Sequence, residues 1–142
     1  MNEVYIMSAT RSPVGAFGGS LKDFDPVDLG AIVAKESIKR SKISPEEIGH
    51  AVFGNVIHTE PRDMYVSRVI ALNSGLNKDS CALTVNRLCG SGLQAIVSAS
   101  QLILLGDTEI ALAGGVEVMS SGTHVVKGCL LYTSDAADEE RG

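Results

Sequence analysis

Apolar and polar positions along the 142-residue chain follow two alternating patterns. Short apolar runs (Val4-Tyr5-Ile6-Met7, Ala51-Val52-Phe53-Gly54, Cys81 to Val85 and Ile110 to Ala113) have the length and turn-rich flanks of buried strands. Between them apolar residues recur at helical spacing. Val27, Ala31, Ala34 and Ile38 share one face, with Lys35, Glu36, Lys39 and Arg40 outward. Asp25-Pro26 predicts the start of that helix, because Asp accepts from free backbone N–H groups and Pro tolerates the first helical position. Ser44-Pro45-Glu46-Glu47 reads as a capping box opening a short helix. Glu60-Pro61 starts another, on which Val66, Val69 and Ile70 share a face and which Gly75 stops. Cys89 opens a long uncharged helix closed by Gly106-Asp107, and a helix with no charge on any side is expected to be buried on most of its circumference. The last strand is expected to end at Gly114-Gly115. Strands alternating with helices imply parallel pairing and right-handed crossovers, an α/β layered domain.

Composition narrows the function classes. Twelve Lys plus Arg against 17 Asp plus Glu give a net charge of −5, and four of the acids lie in the last eight residues. An acidic balance argues against a nucleic-acid or anionic-membrane surface, either of which wants clustered Lys and Arg. The small basic cluster Lys39-Arg40-Ser41-Lys42 reads as a solvated helix end favoured by the C-terminal dipole. Hydrophobic residues at 44% and charged residues at 20% are those of an ordinary globular domain, and the length supports one. Cys81, Cys89 and Cys129 are odd in number and have no metal-like spacing, so neither a disulfide scaffold nor a metal site is expected. The first residues carry Glu3 and only a short apolar stretch, which does not read as a signal peptide. The uncharged run Leu88 to Gly106 contains Gly90, Ser91, Gly92, Gln94, Ser98, Ser100 and Gln101, too polar for lipid. A cytoplasmic, reducing location is the expectation. The loop with Gly15, Gly18 and Gly19 lacks the Gly-Lys-Ser/Thr ending of a phosphate-cradling loop.

The segment Thr84 to Ala95 carries the chemistry. It places Cys89 between a buried strand and the first turn of a helix, where open α/β sheets bind ligands. A thiol there meets the positive end of the helix dipole, which favours thiolate. Gly90 and Gly92 leave the sulfur and the first backbone N–H groups unshielded, and those groups can hold an oxyanion as the thiolate attacks a carbonyl. A buried inert cysteine is the common fate of a free Cys, but this context points to a nucleophile and to covalent acyl transfer. A competing reading takes Gly90-Ser91-Gly92 with Ala95 as a dinucleotide fingerprint. That reading needs an acid at the end of the next strand, whereas Asp107 and Glu109 precede it, so it is the weaker one. A non-catalytic domain is the third possibility.

Asn86 to Ala95 resembles the active-site cysteine segment of thiolases, and Gly114-Gly115-Val116-Glu117-Val118-Met119-Ser120 resembles their next signature. Arg11-Ser12-Pro13-Val14-Gly15 also fits, and Gly54-Asn55-Val56 with Glu60-Pro61-Arg62-Asp63-Met64-Tyr65 is most similar to bacterial β-ketothiolases. The resemblance covers residues 1–121. It implies a thiolase-like α/β fold of two similar halves, of which this chain holds most of the first: a mostly parallel sheet with helices on both faces. It also implies Cys89 as the catalytic nucleophile, with its backbone N–H helping to hold the thioester oxygen, and acyl exchange between coenzyme A thioesters. The thioesters are substrates, so no cofactor is expected. Homodimers or homotetramers are implied at full length. The family's activating His, second Cys and Asn-containing oxyanion site lie in the absent half, so 1–142 alone is expected to be inactive, and to aggregate or stay molten. His50, His58 and His124 read as solvated or structural, Arg87 as a packing and hydrogen-bonding residue, and Cys81 as a small buried hydrophobe. Residues 122–142 read as a disordered, unrelated tail, expected from read-through of non-coding or adapter sequence.

Overall fold

The computed structural model describes residues 3–125, so most of the expected tail, Cys129 included, lies outside the described residues. Three five-residue strands, β1 (His50–Gly54), β2 (Cys81–Val85) and β3 (Ala111–Gly115), form one parallel sheet in the order β2-β1-β3. The register pairs His50 with Cys81 and Ala111 at one end, and Gly54 with Val85 and Gly115 at the other. Three helices accompany them: α1 (Pro26–Ser41), α2 (Val66–Asn73) and α3 (Ser91–Leu105). The chain steps from β1 to β2 through α2, then crosses back over β1 to β3 through α3. Two right-handed crossovers running in opposite directions put their helices on opposite faces. Hence Ala51 and Phe53 pack with Val27, Ala34 and Ile38 of α1 and with Val66 and Ile70 of α2. Val52 faces the other way, onto Ala95 and Ala99 of α3. This is the expected parallel α/β layering with helices on both faces.

The elements match the sequence pattern in most places, and the departures have physical causes. Val4-Tyr5-Ile6-Met7 forms no strand; Tyr5, Ile6 and Met7 are exposed. A strand needs a ladder partner, and among the described residues this segment pairs with none. The segment after it is anchored on α1 instead, with Ser8 Oγ donating to the Ser37 carbonyl at 2.8 Å and Thr10 Oγ1 to that of Val33 at 3.1 Å. Asp25 is the N-cap of α1 but makes no side-chain cap bond, because its carboxylate pairs with Arg62. Ser44 likewise caps nothing with its side chain: the residues after it make only a 3-10 turn, Pro45–Glu47. The true capping box is at Glu60, reciprocal with Asp63, and it opens the 3-10 turn Pro61–Tyr65 that leads into α2.

Two burial expectations are corrected. Cys81 is exposed rather than a small buried hydrophobe, since β2 is an edge strand whose face alternates between exposed and half-buried. In α3 only Ser91, Ala95 and Ala99 are buried, while Leu93, Ile96, Val97, Leu104 and Leu105 are exposed. One sheet covers one side of a helix, and among the described residues nothing covers the other. Leu88–Leu105 has a mean hydropathy of 1.6, enough by length and composition to cross a membrane, yet its small residues seat it on the sheet.

Candidate active site

All three strands end on one edge of the sheet, and the loops leaving that edge gather around the start of α3. The helix descends close onto the strand ends because glycines make room. A Cβ on Gly54 would lie 2.6 Å from the Ser91 Cβ and 2.7 Å from the Ser91 carbonyl carbon. A Cβ on Gly115 would lie 3.2 Å from the Gly92 Cα. Gly54 is needed for the first turn of α3 to rest on the sheet as it does, and Gly115 eases the same close approach.

Between β2 and α3 the chain turns sharply. Leu88 takes φ +50°, the left-handed region that L side chains rarely adopt. Ser91 spans this turn: its hydroxyl accepts the Arg87 N–H at 2.8 Å and donates to the Leu88 carbonyl at 2.7 Å. Asn86 Oδ1 accepts the Leu88 N–H at 3.1 Å. Cys89 follows directly, a free and exposed thiol just ahead of Gly90, the N-cap of α3. The expectation had Cys89 opening the helix; it stands two residues before the first helical residue, on the turn rather than in it. The side-chain position of Gly92 meets open space among the described residues, so the face of this helix end turned away from the sheet is open. Arg87 is a hydrogen-bonding residue, its guanidinium donating to Gln94, whose amide in turn donates to Ser98 at 3.0 Å.

The loops after β1 and β3 are tied together beside this turn. Asn55, fully buried, donates its backbone N–H to Val85 and its side-chain amide to Val116. The Glu117 carboxylate accepts the backbone N–H groups of Val56 and Ile57. The glycine loop is fastened here too, Gly18 N–H donating to Ser120 at 2.9 Å. Sequence reasoning assigned no role to Ser91, Asn55, Glu117 or Gly54. Their signal was membership of the segments that carry the family resemblance, with Gly54, Asn55 and Glu117 at or just after a strand end and Ser91 at a helix start.

The histidines do not complete a constellation with Cys89. His50 begins β1, at the end of the sheet opposite the turn. His58 and His124 are exposed, and among the described residues no histidine hydrogen-bonds Cys89. No group of three His, Cys, Asp or Glu gathers to hold a metal among these residues. Asp107 and Glu109 lie between α3 and β3, at the far end of α3, where they cannot meet a nucleotide bound at Gly90-Ser91-Gly92. Glu117 lies just beyond β3, but both its oxygens are engaged by backbone N–H groups. The arrangement presents an accessible thiol above the N-terminus of a helix, on the ligand-binding edge of a parallel α/β sheet.

Comparison with known proteins gives the family. Residues 4–139 match the family described as thiolase, N-terminal domain, a range that extends past Ser121. The chain belongs to the thiolase family. It is 58% identical over 123 residues to the beta-ketothiolase BktB of Cupriavidus necator, covering 87% of this chain and 31% of that protein. It is 39% identical over 135 residues to human mitochondrial 3-ketoacyl-CoA thiolase, covering 95% of this chain and 34% of that one. The crystal structure of the human mitochondrial enzyme in complex with CoA superposes with a TM-score of 0.87 at 38% identity, over 93% of this chain and 33% of that one. The chain therefore spans about a third of the length of the curated relatives it matches.

Proposed function

We propose that this chain contributes the nucleophile of an acyltransferase acting on coenzyme A thioesters, with Cys89 as that nucleophile. The observation that carries the reading is the exposed Cys89 on the turn before α3, at the edge of the sheet where all three strands end. In the degradative direction the Cys89 sulfur attacks the keto carbonyl of a 3-ketoacyl-CoA. The bond between the keto carbon and its neighbour on the CoA side breaks, acetyl-CoA leaves as a carbanion that takes up a proton, and an acyl-cysteine remains. The thiol of free CoA then takes the acyl group and returns the sulfur. In the synthetic direction an acetyl group on Cys89 is attacked by the carbanion of a second acetyl-CoA. The backbone N–H of Cys89 helps to hold the oxygen that becomes negative.

Each direction needs a group that takes the proton of the thiol, and a second group that gives a proton to the carbanion in cleavage and removes one from acetyl-CoA in condensation. The histidines of this chain do not stand beside Cys89, so we assign both roles to the remaining length that the relatives have. At that length we propose a cytoplasmic homodimer or homotetramer, the location resting on the bacterial relative and the oligomeric state on the family resemblance alone.

The test is mass spectrometry of the chain after exposure to acetyl-CoA. Cys89 is expected to take one acetyl group without turnover, ahead of Cys81, and Cys89→Ala to abolish the label. Equal labelling of Cys81 and Cys89, or none, would refute the reading. A shift in NADH fluorescence that survives Cys89→Ala would favour a dinucleotide-binding domain instead.

A further inference from the structure

We propose that Ser91 is a positioning residue for Cys89, its hydroxyl latching the left-handed turn on which the thiol stands. This rests on the reading of Cys89 as the nucleophile and deepens it. Leu88 at φ +50° holds a conformation unfavourable for an L residue, and its side chain is 70% exposed, so packing does not hold it there. Conformations of this kind persist only where the surroundings over-determine them. Asn86 Oδ1 holds the Leu88 N–H and the Ser91 N–H reaches the Leu88 carbonyl at 3.0 Å, and to these the surroundings add one buried hydroxyl that grips both sides of the residue. Ser91 is 4% exposed, and its oxygen bridges the Arg87 N–H and the Leu88 carbonyl, one on each side of the left-handed residue. It is not the helix cap: that position is Gly90, with no side-chain cap bond, and Ser91 is the first residue of α3.

The latch is seated from below. Gly54 leaves the space that the Cβ and backbone of Ser91 occupy, so the hydroxyl is aimed by the contact between α3 and the end of β1. One residue thus links the sheet, the helix start and the turn, with Cys89 directly after the Leu88 carbonyl that it ties. The small hydroxyl is the part that matters. Alanine keeps the fit against Gly54 and the Ser91 N–H bond to the Leu88 carbonyl, but leaves the Arg87 N–H without a partner and removes the second bond to that carbonyl, so the turn loses much of what opposes its strain.

The experiment follows amide hydrogen exchange at Arg87 and transfer of acetyl from acetyl-CoA to Cys89, in the full chain and in Ser91→Ala, Leu88→Gly and the double variant. Ser91→Ala is expected to remove protection at Arg87 while β1 and β2 keep theirs. Its maximal acetylation rate is expected to fall by about 10- to 100-fold, the scale of a misplaced reacting group, at an unchanged half-saturating acetyl-CoA concentration. Leu88→Gly in the Ser91→Ala background is expected to recover about tenfold, because glycine takes the left-handed conformation without the penalty. An unchanged rate and unchanged Arg87 protection in Ser91→Ala would overturn the proposal. So would a slowed rate that Leu88→Gly does not recover, or a loss of protection spread evenly through the sheet. If the unsubstituted chain accepts no acetyl group, the acyl-transfer reading fails, and exchange at Arg87 still judges the latch.

Discussion

On α1, Arg40 donates to Glu36 at 2.7 Å, one turn earlier, and that hydrogen bond and the guanidinium charge hold the Glu36 carboxyl below its ordinary range. A carboxyl whose pKa is lowered on folding contributes stability above its unfolded value and loses it as the pH falls through the folded one. Arg40→Ala is therefore expected to raise the Glu36 titration toward the ordinary glutamate range, read by NMR. The exposed pair makes little difference to global stability. Asp63 is different, being fully buried, with Oδ2 accepting the Thr59 N–H at 2.8 Å, the Thr59 hydroxyl at 2.9 Å and the Glu60 N–H at 3.0 Å. Asp63→Ala strands those donors and is expected to cost about 1–3 kcal/mol in urea unfolding. The Glu36–Arg40 spacing is legible as i,i+4 on a predicted helix. The burial of Asp63 is not, because it depends on how the loop after β1 folds back on itself.

At the scale of elements, the fit of α3 onto the sheet decides where the site stands. Gly54 and Gly92 make the contrast testable. Gly54→Ala drives a methyl into the backbone and Cβ of Ser91, so α3 must move, at a cost of about 1–3 kcal/mol in chemical denaturation. Gly92→Ala faces open space inside the helix and is expected to be neutral or stabilising, by up to about 1 kcal/mol. The same assay on both variants reads the difference, and equal losses would mean that the Gly54 contact does not set the position of α3. The sequence marks both residues only as glycines at element ends. Which one is pressed against a neighbour depends on the angle at which the helix meets the strands.

For the whole molecule, the exposed side of α3 is the main departure from a closed domain. Leu93, Ile96, Val97 and Leu104 lie on it, and β2 adds Leu83 at 43% exposure. Contiguous apolar surface of this kind drives association in water. The chain is expected to self-associate in sedimentation velocity and to bind a hydrophobic dye, and Leu93→Glu with Ile96→Glu to weaken both. A monomer with a sharp cooperative melt would contradict this. The uncharged α3 sequence foretold a helix buried nearly all round. Burial needs a second layer, and the described residues supply one side of it.

The sequence by itself determined the local periods, and through them four candidate strands and four candidate helices, of which three strands, three α-helices and the parallel crossovers between them formed, because apolar spacing and stop signals act over a few residues. It also determined Cys89 as the candidate nucleophile, since a cysteine between a strand and a Gly-x-Gly helix start is readable in a dozen residues. Tertiary structure alone decided that Val4–Met7 pairs with no strand, that Cys81 is exposed and that His50 stands at the wrong end of the sheet. It alone brought Ser91 onto Gly54 and set Leu88 in a left-handed turn. These outcomes depend on which edges are paired and how closely two elements approach, and such long-range contacts leave no mark on the spacing of residues along the chain.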